Sequence, residues 1–398
     1  MANSSKSKRQ KLYCREETMG ADRISDLPDC LLIHILSLLG TKQAIQTSRL
    51  SSRWKLLWTY VPKLNLDTDS FPKFECDKVG SIINFECYVS QVLAKHKAKY
   101  LRNFRLKYKL YHQKRLDRWI STFTTSALNL QELDLQIINF PTPTPTPTDC
   151  FWKLPHSIFY CNKLAVLKIE GHIVLDPSSS SSFQLNTLKI LRLESITFAN
   201  CDSFVTLLSF CPVLEDLTLK IDDYKEFKFK ICVPTLKRLS VSYLNNKLKI
   251  DTPSLEYFDF ECQRSYGSIC PTRFQNLVCL VFKYNGHNLS VLEALLLRAP
   301  NLRVVLVDKI AKARTQKLFW TEPPNDPNSL LSHLTTFYFR GYKGLKHEVD
   351  FVKFILKEAR VLKAVRIEVH HHSKLNRSVF EELSIFPRRS STCLLSVK

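Results

Sequence analysis

The densest chemistry in the sequence is a run of positive charge. Between residues 95 and 118 stand Lys95, Lys97, Lys99, Arg102, Arg105, Lys107, Lys109, Lys114, Arg115 and Arg118, with Asp117 as the one acid among them. Within that run the heptapeptide FRLKYKL alternates apolar and basic residues. Alternation sends successive side chains to opposite faces of a strand. If Phe104, Leu106 and Tyr108 face a core, then Arg105, Lys107 and Lys109 project together from the other side. Three cations so placed would hold a ligand bearing several carboxylate or phosphate groups. The plain alternative is a solvated basic face. Nucleic acid is the weaker assignment, because no recognised nucleic-acid-binding fold can be read in the sequence.

Catalytic chemistry has less to point to. The sequence contains no HExxH, no GxSxG, no phosphate-binding P-loop and no kinase motif set. Its 13 cysteines are scattered, with no CxxC pair, which removes zinc-ribbon and thioredoxin-type readings. The triplet His370–His372 would send its rings to alternate sides of a strand, so an exposed loop accounts for it better than a metal site does. The expectation is therefore a protein that is not an enzyme, with no metal and no resident cofactor. Glycine supplies only 8 of 398 residues, against folds built on glycine turns. The net charge of +21 favours acidic partners and says nothing of the fold. The opening MANSSKSKRQK has no apolar core of a secretory leader, and no run long enough to span a membrane is found. A reducing compartment, nucleus or cytoplasm, is expected, with free thiols packed as small hydrophobes.

The elements that must position these residues show in the leucines. From residue 101 onward a unit L-x-x-L-x-L, or a close apolar variant, recurs eleven times. It begins at Leu101, Leu130, Leu164, Leu188, Leu214, Leu236, Leu255, Leu277, Leu302, Leu334 and Leu362, at intervals of 19 to 34 residues. That is the period of a leucine-rich-repeat solenoid. The last two apolar positions lie on one side of a short strand, and the rest of each unit crosses back as a helix or irregular turn. One unit cannot bury its own apolar face, so units must stack into a curved parallel sheet. The segments SFVTLLSF and SVLEALLLRA read as helical crossings, each ended by a proline. The stretches PTPTPTPT (141–148) and 178–182 (serines) read as loops.

Ahead of the repeats, SDLPDCLLIHILSLLG places Leu27, Leu31, Ile35 and Leu39 at helical spacing, with Leu32 and Leu36 beside them. Pro28 suits the first turn and Gly40 a position past the last. Further helix starts are read at Thr41 and at Ser51 or Ser52. Three short helices expose more apolar surface than they can bury, which invites a partner. Residues 1–20 form a basic polar tail expected to be disordered, with Lys6–Lys11 open to a nuclear-import reading.

The segment Asp22–Asp67 resembles a plant F-box, on Leu27-Pro28, the Leu31/Leu32/Ile35/Leu36 face, Arg53-Trp54, Leu57-Trp58 and the closing VPKLNLD. Gly40 and Ser52 depart from the usual proline and lysine. The end of the chain resembles the FBD module of plant F-box proteins, on Trp320-x-Glu322-Pro323, Leu330–Leu334, Phe337–Tyr342, Phe354–Leu356, Ala359–Leu362, Pro387-Arg388 and Ser390–Cys393. The resemblance implies an α/β architecture of a tail (1–20), a three-helix F-box (21–67), leucine-rich repeats (68–315) and an FBD module (316–398) that continues the solenoid. It also implies the substrate-receptor subunit of an SCF-type ubiquitin ligase, joined to a cullin through a Skp-type adaptor and binding an unidentified protein substrate. The adaptor contact implied is Leu27, Pro28, Leu31, Leu32, Ile35, Leu36 and Leu39, framed by Trp54. Internal packing is the alternative for Leu31, Ile35 and Leu39. The face offered to substrate or ligand carries Arg105, Lys107, Lys109, Lys168, Arg192, Lys220, Lys283 and Arg340. Some F-box leucine-rich-repeat receptors hold an inositol polyphosphate in such a place. A basic scaffold for acidic protein or nucleic acid, acting without a ligase, is the competing reading.

Overall fold

The computed structural model describes residues 24, 26–71, 78–110, 113–126, 129–139, 152–177, 185–221, 229–242, 248–262, 269–271, 273–284, 290–310, 331–369 and 376–398. The basic tail, 141–148, 178–182, Trp320–Pro323 and His370–His372 lie outside them in whole or in part. The chain divides into two compact units, the first ending at Val61 and the second beginning at Pro62. The segment KLNLD, expected as the close of the F-box, is a strand of the second unit.

The first unit is held by α1 (Asp29–Ser37), α2 (Thr41–Gln46) and a 3-10 turn over Leu57–Tyr60 that packs on α1. Where a third helix was expected, the chain makes turns and this short 3-10 segment instead. Pro28 takes the N-cap position of α1. Gly40 has φ −65° and opens α2, its N–H donating to Gln43 Oε1 at 3.2 Å, so it does not serve as a left-handed helix stop. Leu32, Leu36, Ala44, Trp54, Leu57 and Trp58 form the core of the unit.

The second unit opens with β1 (Lys63–Asp67), α3 (Lys78–Lys95), β2 (Asn103–Leu110), α4 (Gln113–Ser126) and β3 (Glu132–Asn139). There follow β4 (Trp152–Lys153), β5 (Val166–Gly171), β6 (Ile173–Leu175), β7 (Ile190–Glu194), β8 (Thr197–Phe198), α5 (Cys201–Ser209) and β9 (Asp216–Lys220). The middle continues as β10 (Phe229–Cys232), β11 (Arg238–Ser242), β12 (Leu248–Asp251), β13 (Tyr257–Cys262), β14 (Ile269–Pro271), β15 (Cys279–Tyr284) and α6 (Ser290–Arg298). The end comprises β16 (Val304–Lys309), β17 (Thr336–Tyr342), α7 (Lys346–Glu358), β18 (Ala364–Val369), α8 (Asn376–Ser384) and β19 (Leu394–Val397).

Among the described residues, 13 of these strands form one sheet, ordered β1-β2-β3-β5-β7-β9-β11-β13-β15-β16-β17-β18-β19 and parallel throughout. Each of the eleven L-x-x-L-x-L units supplies one strand of it, and every apolar residue quoted at those units' starts is buried. Two three-stranded parallel ladders, β4-β6-β8 and β10-β12-β14, line some of the crossings. Thr187, Thr235 and Thr335 donate to backbone carbonyls of the preceding repeat, at Leu164, Leu214 and Arg303, tying polar turn to polar turn. The FBD stretch extends the sheet without a break, since β17 pairs with β16 in register from Val304–Thr336 onward.

Glycine is obligatory at two places. Gly171 has φ +115°, and a Cβ there would lie 1.8 Å from the carbonyl oxygen of Ile137 on the neighbouring strand. Gly341 sits at the irregularity of β17 with φ +74°, and a Cβ there would press on Lys309.

Lys309 is also one half of a buried ion pair. Its Nζ lies 2.5 Å from Glu348 Oε1, with side chains 2% and 0% exposed. Glu348 Oε2 accepts the backbone N–H groups of Lys343 and Leu345, closing the N-terminus of α7. One carboxylate thus joins the last repeat before the FBD stretch to the helix inside it. Removing one partner of a buried pair leaves an uncompensated charge. Glu348→Ala should lower stability by about 3–5 kcal/mol. Lys309→Met should cost less, because Glu348 keeps its two backbone donors. Denaturant unfolding of the two variants measures both, and equal or negligible losses would contradict the arrangement.

Candidate functional site

The first unit presents a divided helix. Leu32 and Leu36 turn inward with Trp54, so these three expected adaptor contacts hold the unit together and do not face outward. Their neighbours a quarter-turn away do the opposite: Leu31 is 47% exposed, Ile35 38%, Leu38 74% and Leu39 40%. The internal packing considered for Leu31, Ile35 and Leu39 is not what the structure has. Leu50 and Leu56 are exposed as well. Pro28 is exposed and Leu27 half-buried. Arg53 fixes this entry point. Its guanidinium lies 2.8 Å from Asp29 Oδ1 and also donates to the Leu27 carbonyl. A partner sequence separation of 24 residues kept that role out of sight in the sequence.

The second candidate is the open face of the main sheet, where the residues alternating with the buried ones emerge. Its cations are laid out in a ladder of ion pairs. Lys168 reaches Glu132 at 2.7 Å, Lys220 reaches Glu194 at 2.8 Å, and Lys283 reaches Asp259 at 2.7 Å. Arg340 lies 3.3 Å from both Asp308 and Glu368, on the strands to either side. Arg105 approaches Asp134 at 3.5 Å. Lys107 and Lys109 converge on Asp69, each at 2.9 Å. Arg192 is exposed and has no such partner among the described residues.

The patch of bare positive charge expected at Arg105, Lys107 and Lys109 is therefore corrected. Asp69 lies outside the 95–118 run and was invisible to a count of charges along the chain. Bonds from Lys107 and then Lys109 hold its carboxyl well below the usual carboxylate range. A carboxylate lowered in this way contributes at every pH above its ordinary range, and loses its contribution only as pH falls through the lowered value. The neutralisation is thus present at neutral pH and persists through mild acid.

A third feature lies on the helix side of the first repeats. Glu86 of α3 is fully buried, accepts the Tyr108 hydroxyl, and is 3.1 Å from Arg115 Nη1 of α4. Between α3 and α4 opens a cleft of about 480 Å³, lined by Cys87, Ser90, Gln91, Lys114, Arg115, Arg118 and Trp119. A second of about 540 Å³ shares Arg118 and is lined further by Asp117, Lys153 and His156, among others. Elsewhere, burial pushes the thiols of Cys161 and Cys211 up to about 11 and about 12, which leaves them as inert apolar fillers. Among the described residues no three His, Cys, Asp or Glu side chains gather as a metal would require, and no helix is long and apolar enough to cross a membrane.

Comparison with known proteins resolves the identity of this assembly. Three family models match: an F-box domain over 24–66, the LRR repeats of FBD-associated F-box protein At5g56370 over 116–268, and FBD over 322–367. FBD-associated F-box protein At5g56370 of Arabidopsis thaliana is 30% identical, with 94% of this chain aligned to 99% of the relative. The chain belongs to the FBD-associated F-box proteins. The putative FBD-associated F-box protein At5g56820 and F-box/FBD/LRR-repeat protein At3g52680, both from Arabidopsis thaliana, are 29% and 30% identical. Each aligns with 96% of this chain, over 95% and 94% of its own length. The exposed leucines of α1 accordingly belong to an F-box, and the ion-pair ladder to a leucine-rich-repeat sheet ending in FBD.

Asp69 gives a direct check of the sheet-face electrostatics. Asp69→Asn would release Lys107 and Lys109 together. The variant should elute from immobilised heparin at higher salt than the wild type, and its log affinity should fall more steeply with log salt, by about one to two in slope. Identical elution would mean that Asp69 does not neutralise these lysines in solution.

Proposed function

We propose that this F-box protein is the substrate-recognition subunit of an SCF-type cullin-RING ubiquitin ligase. Its F-box docks on a Skp-type adaptor, and its repeats engage a protein substrate. The observation that supports this most directly is the exposed row of Leu31 and Ile35 on α1 with Leu38 and Leu39 just past its end. Four large apolar side chains on one helix and its C-terminal turn form the kind of surface that a protein keeps for a partner. Leu31, Ile35 and Leu39 are already more than half covered, so the row recovers only part of the about 1.5–3 kcal/mol that full burial of each side chain gives, and serves as one centre of a larger contact. Leu27 and Pro28, held by Arg53, form its entry. Leu32, Leu36 and Trp54 shape it from beneath.

No inositol polyphosphate is assigned to the sheet face. Seven of the eight cations expected there already meet carboxylates, so a polyphosphate would have to displace existing ion pairs. The sheet face suits a protein surface of mixed charge better, because paired charges can exchange partners across an interface.

The reading is tested on the two sides of α1. Leu31→Glu with Ile35→Glu should abolish co-purification with a Skp-type adaptor and cullin while leaving the melting temperature nearly unchanged, since both sites are exposed. Leu36→Ala should instead cost about 2–5 kcal/mol of stability. Reconstitution with adaptor, cullin and RING subunit should yield ubiquitin transfer to proteins captured by the chain, lost in the double variant. Undiminished adaptor binding by the double variant would remove this docking surface.

A further inference from the structure

Six of the ten cations of the 95–118 run fall into two groups, three on the sheet face and three on α4. Those on the sheet face, Arg105, Lys107 and Lys109, are matched by carboxylates. Lys114 and Arg118, on α4, have no carboxylate partner among the described residues. They stand one helical turn apart on the same side of α4, where neighbours at i, i+4 lie together. Arg115 stands beside them and lines the same cleft, its guanidinium anchored by buried Glu86. The anchor has its own support, since Tyr108 also donates to Glu86.

The position of these cations on α4 is itself unusual. Lys114 and Arg115 occupy the first turn of a 14-residue helix, and that turn contains no acid. The N-terminal end of a helix carries positive potential and favours acidic side chains. Two cations there work against the helix unless negative charge answers them. Glu86 answers Arg115. Among the described residues no carboxylate answers Lys114 or Arg118. The only acid of α4, Asp117, accepts the indole N–H of Trp152 at 2.7 Å and lines the neighbouring cleft. Across from the cations, α3 contributes Gln91, an amide, and Ser90, whose hydroxyl donates to the Glu86 carbonyl and accepts from Trp119.

We propose that the cleft between α3 and α4 binds a phosphate monoester carried on a segment of a partner protein, with Lys114, Arg115 and Arg118 as its charged ligands. Two guanidinium groups and an ammonium group lining one cleft match the three acceptor oxygens and nearly double charge of a phosphorylated side chain. A volume of about 480 Å³ holds that group with part of its flanking chain. Single-stranded nucleic acid fits less well, because it calls for aromatic faces on which bases stack. The one aromatic residue of this cleft, Trp119, is 3% exposed and spends its indole N–H on Ser90. The choice of a protein as the phosphate carrier rests on the substrate-receptor reading; capture of the phosphate does not.

The experiment uses the full chain and an immobilised phosphoserine peptide library, with the same library dephosphorylated as its control. Wild-type chain should be retained roughly tenfold or more on the phosphorylated library. Lys114→Gln with Arg118→Gln should abolish the difference without lowering the melting temperature, since both side chains are exposed and have no carboxylate partner among the described residues. Lys107→Gln with Lys109→Gln, on the sheet face, should leave the difference intact. Equal retention on the two libraries, an unaffected α4 variant, or an equal loss in the sheet-face variant would each overturn the site. Release of the chain by single-stranded RNA at lower concentration than by free phosphopeptide would overturn the choice of ligand. Adaptor co-purification, followed in parallel, should be unchanged in the α4 variant. Its loss in wild type with phosphopeptide binding retained would remove the ligase reading and leave the cleft standing.

Discussion

One constraint organises the second unit: no repeat can bury its own strand. A strand of five or six residues with two inward apolar side chains has nothing to pack against except its neighbours' crossings and the strands on either side. The parallel ladder solves this by putting equivalent positions in register, so that Leu133, Leu167 and Leu191 stack on one another, as do Leu135, Ile169 and Leu193. Everything else follows from that stacking. Crossings vary in length and kind because only their two ends are fixed. Helices α5, α6 and α7 fill some, and short extra strands fill others. Gly171 is required where one strand end passes too close to its neighbour for any side chain.

The same register fixes the electrostatics of the open face. Lys220 lies directly opposite Glu194, and Arg340 lies between Asp308 and Glu368, because those pairs are ladder partners. Lys168 and Lys283 reach diagonally, to Glu132 and Asp259. Pairs this exposed add little stability, about 0–1 kcal/mol each. Their effect is on charge: a chain of net charge +21 offers a nearly balanced surface along most of the sheet. The excess must then reside elsewhere, and the helix side of the first repeats is one such place.

These features differ in how far the sequence revealed them. The eleven repeat strands were legible because a strand with two inward positions writes itself as L-x-L at a fixed offset from a leading leucine. The outer strand β19 was not, since LLSV has no apolar residue at the leading position, and β1 was missed because its unit, Val61-x-x-Leu64-x-Leu66, leads with valine and reads as the close of the F-box. The F-box was legible as a set of leucines, but the direction of its helix was not. Leu31 and Leu32 are adjacent and equally apolar, and which of them turns inward depends on where Trp54, Leu57 and Trp58 come to rest. Asp69 escaped for a third reason. It is 38 residues from Lys107 and 40 from Lys109, and a count of charge along the chain cannot see a partner supplied by the turn that follows the neighbouring strand β1.

The two kinds of surface answer different demands. The outward row on α1 and the turn after it is short and largely apolar, and its energy comes from area removed from water, which is indifferent to the fine chemistry of the partner. Such a surface suits a partner that is always the same. The repeats offer the reverse: alternating charges on a broad sheet, where affinity depends on whether a partner's charges complement them. A mismatch there leaves charged groups desolvated and unpaired, which costs several kcal/mol. The repeat surface is therefore suited to rejecting wrong partners. The proposed receptor role needs both properties, and they can coexist because they are built on separate units: changing a charge on the sheet leaves the apolar side chains of the first unit untouched.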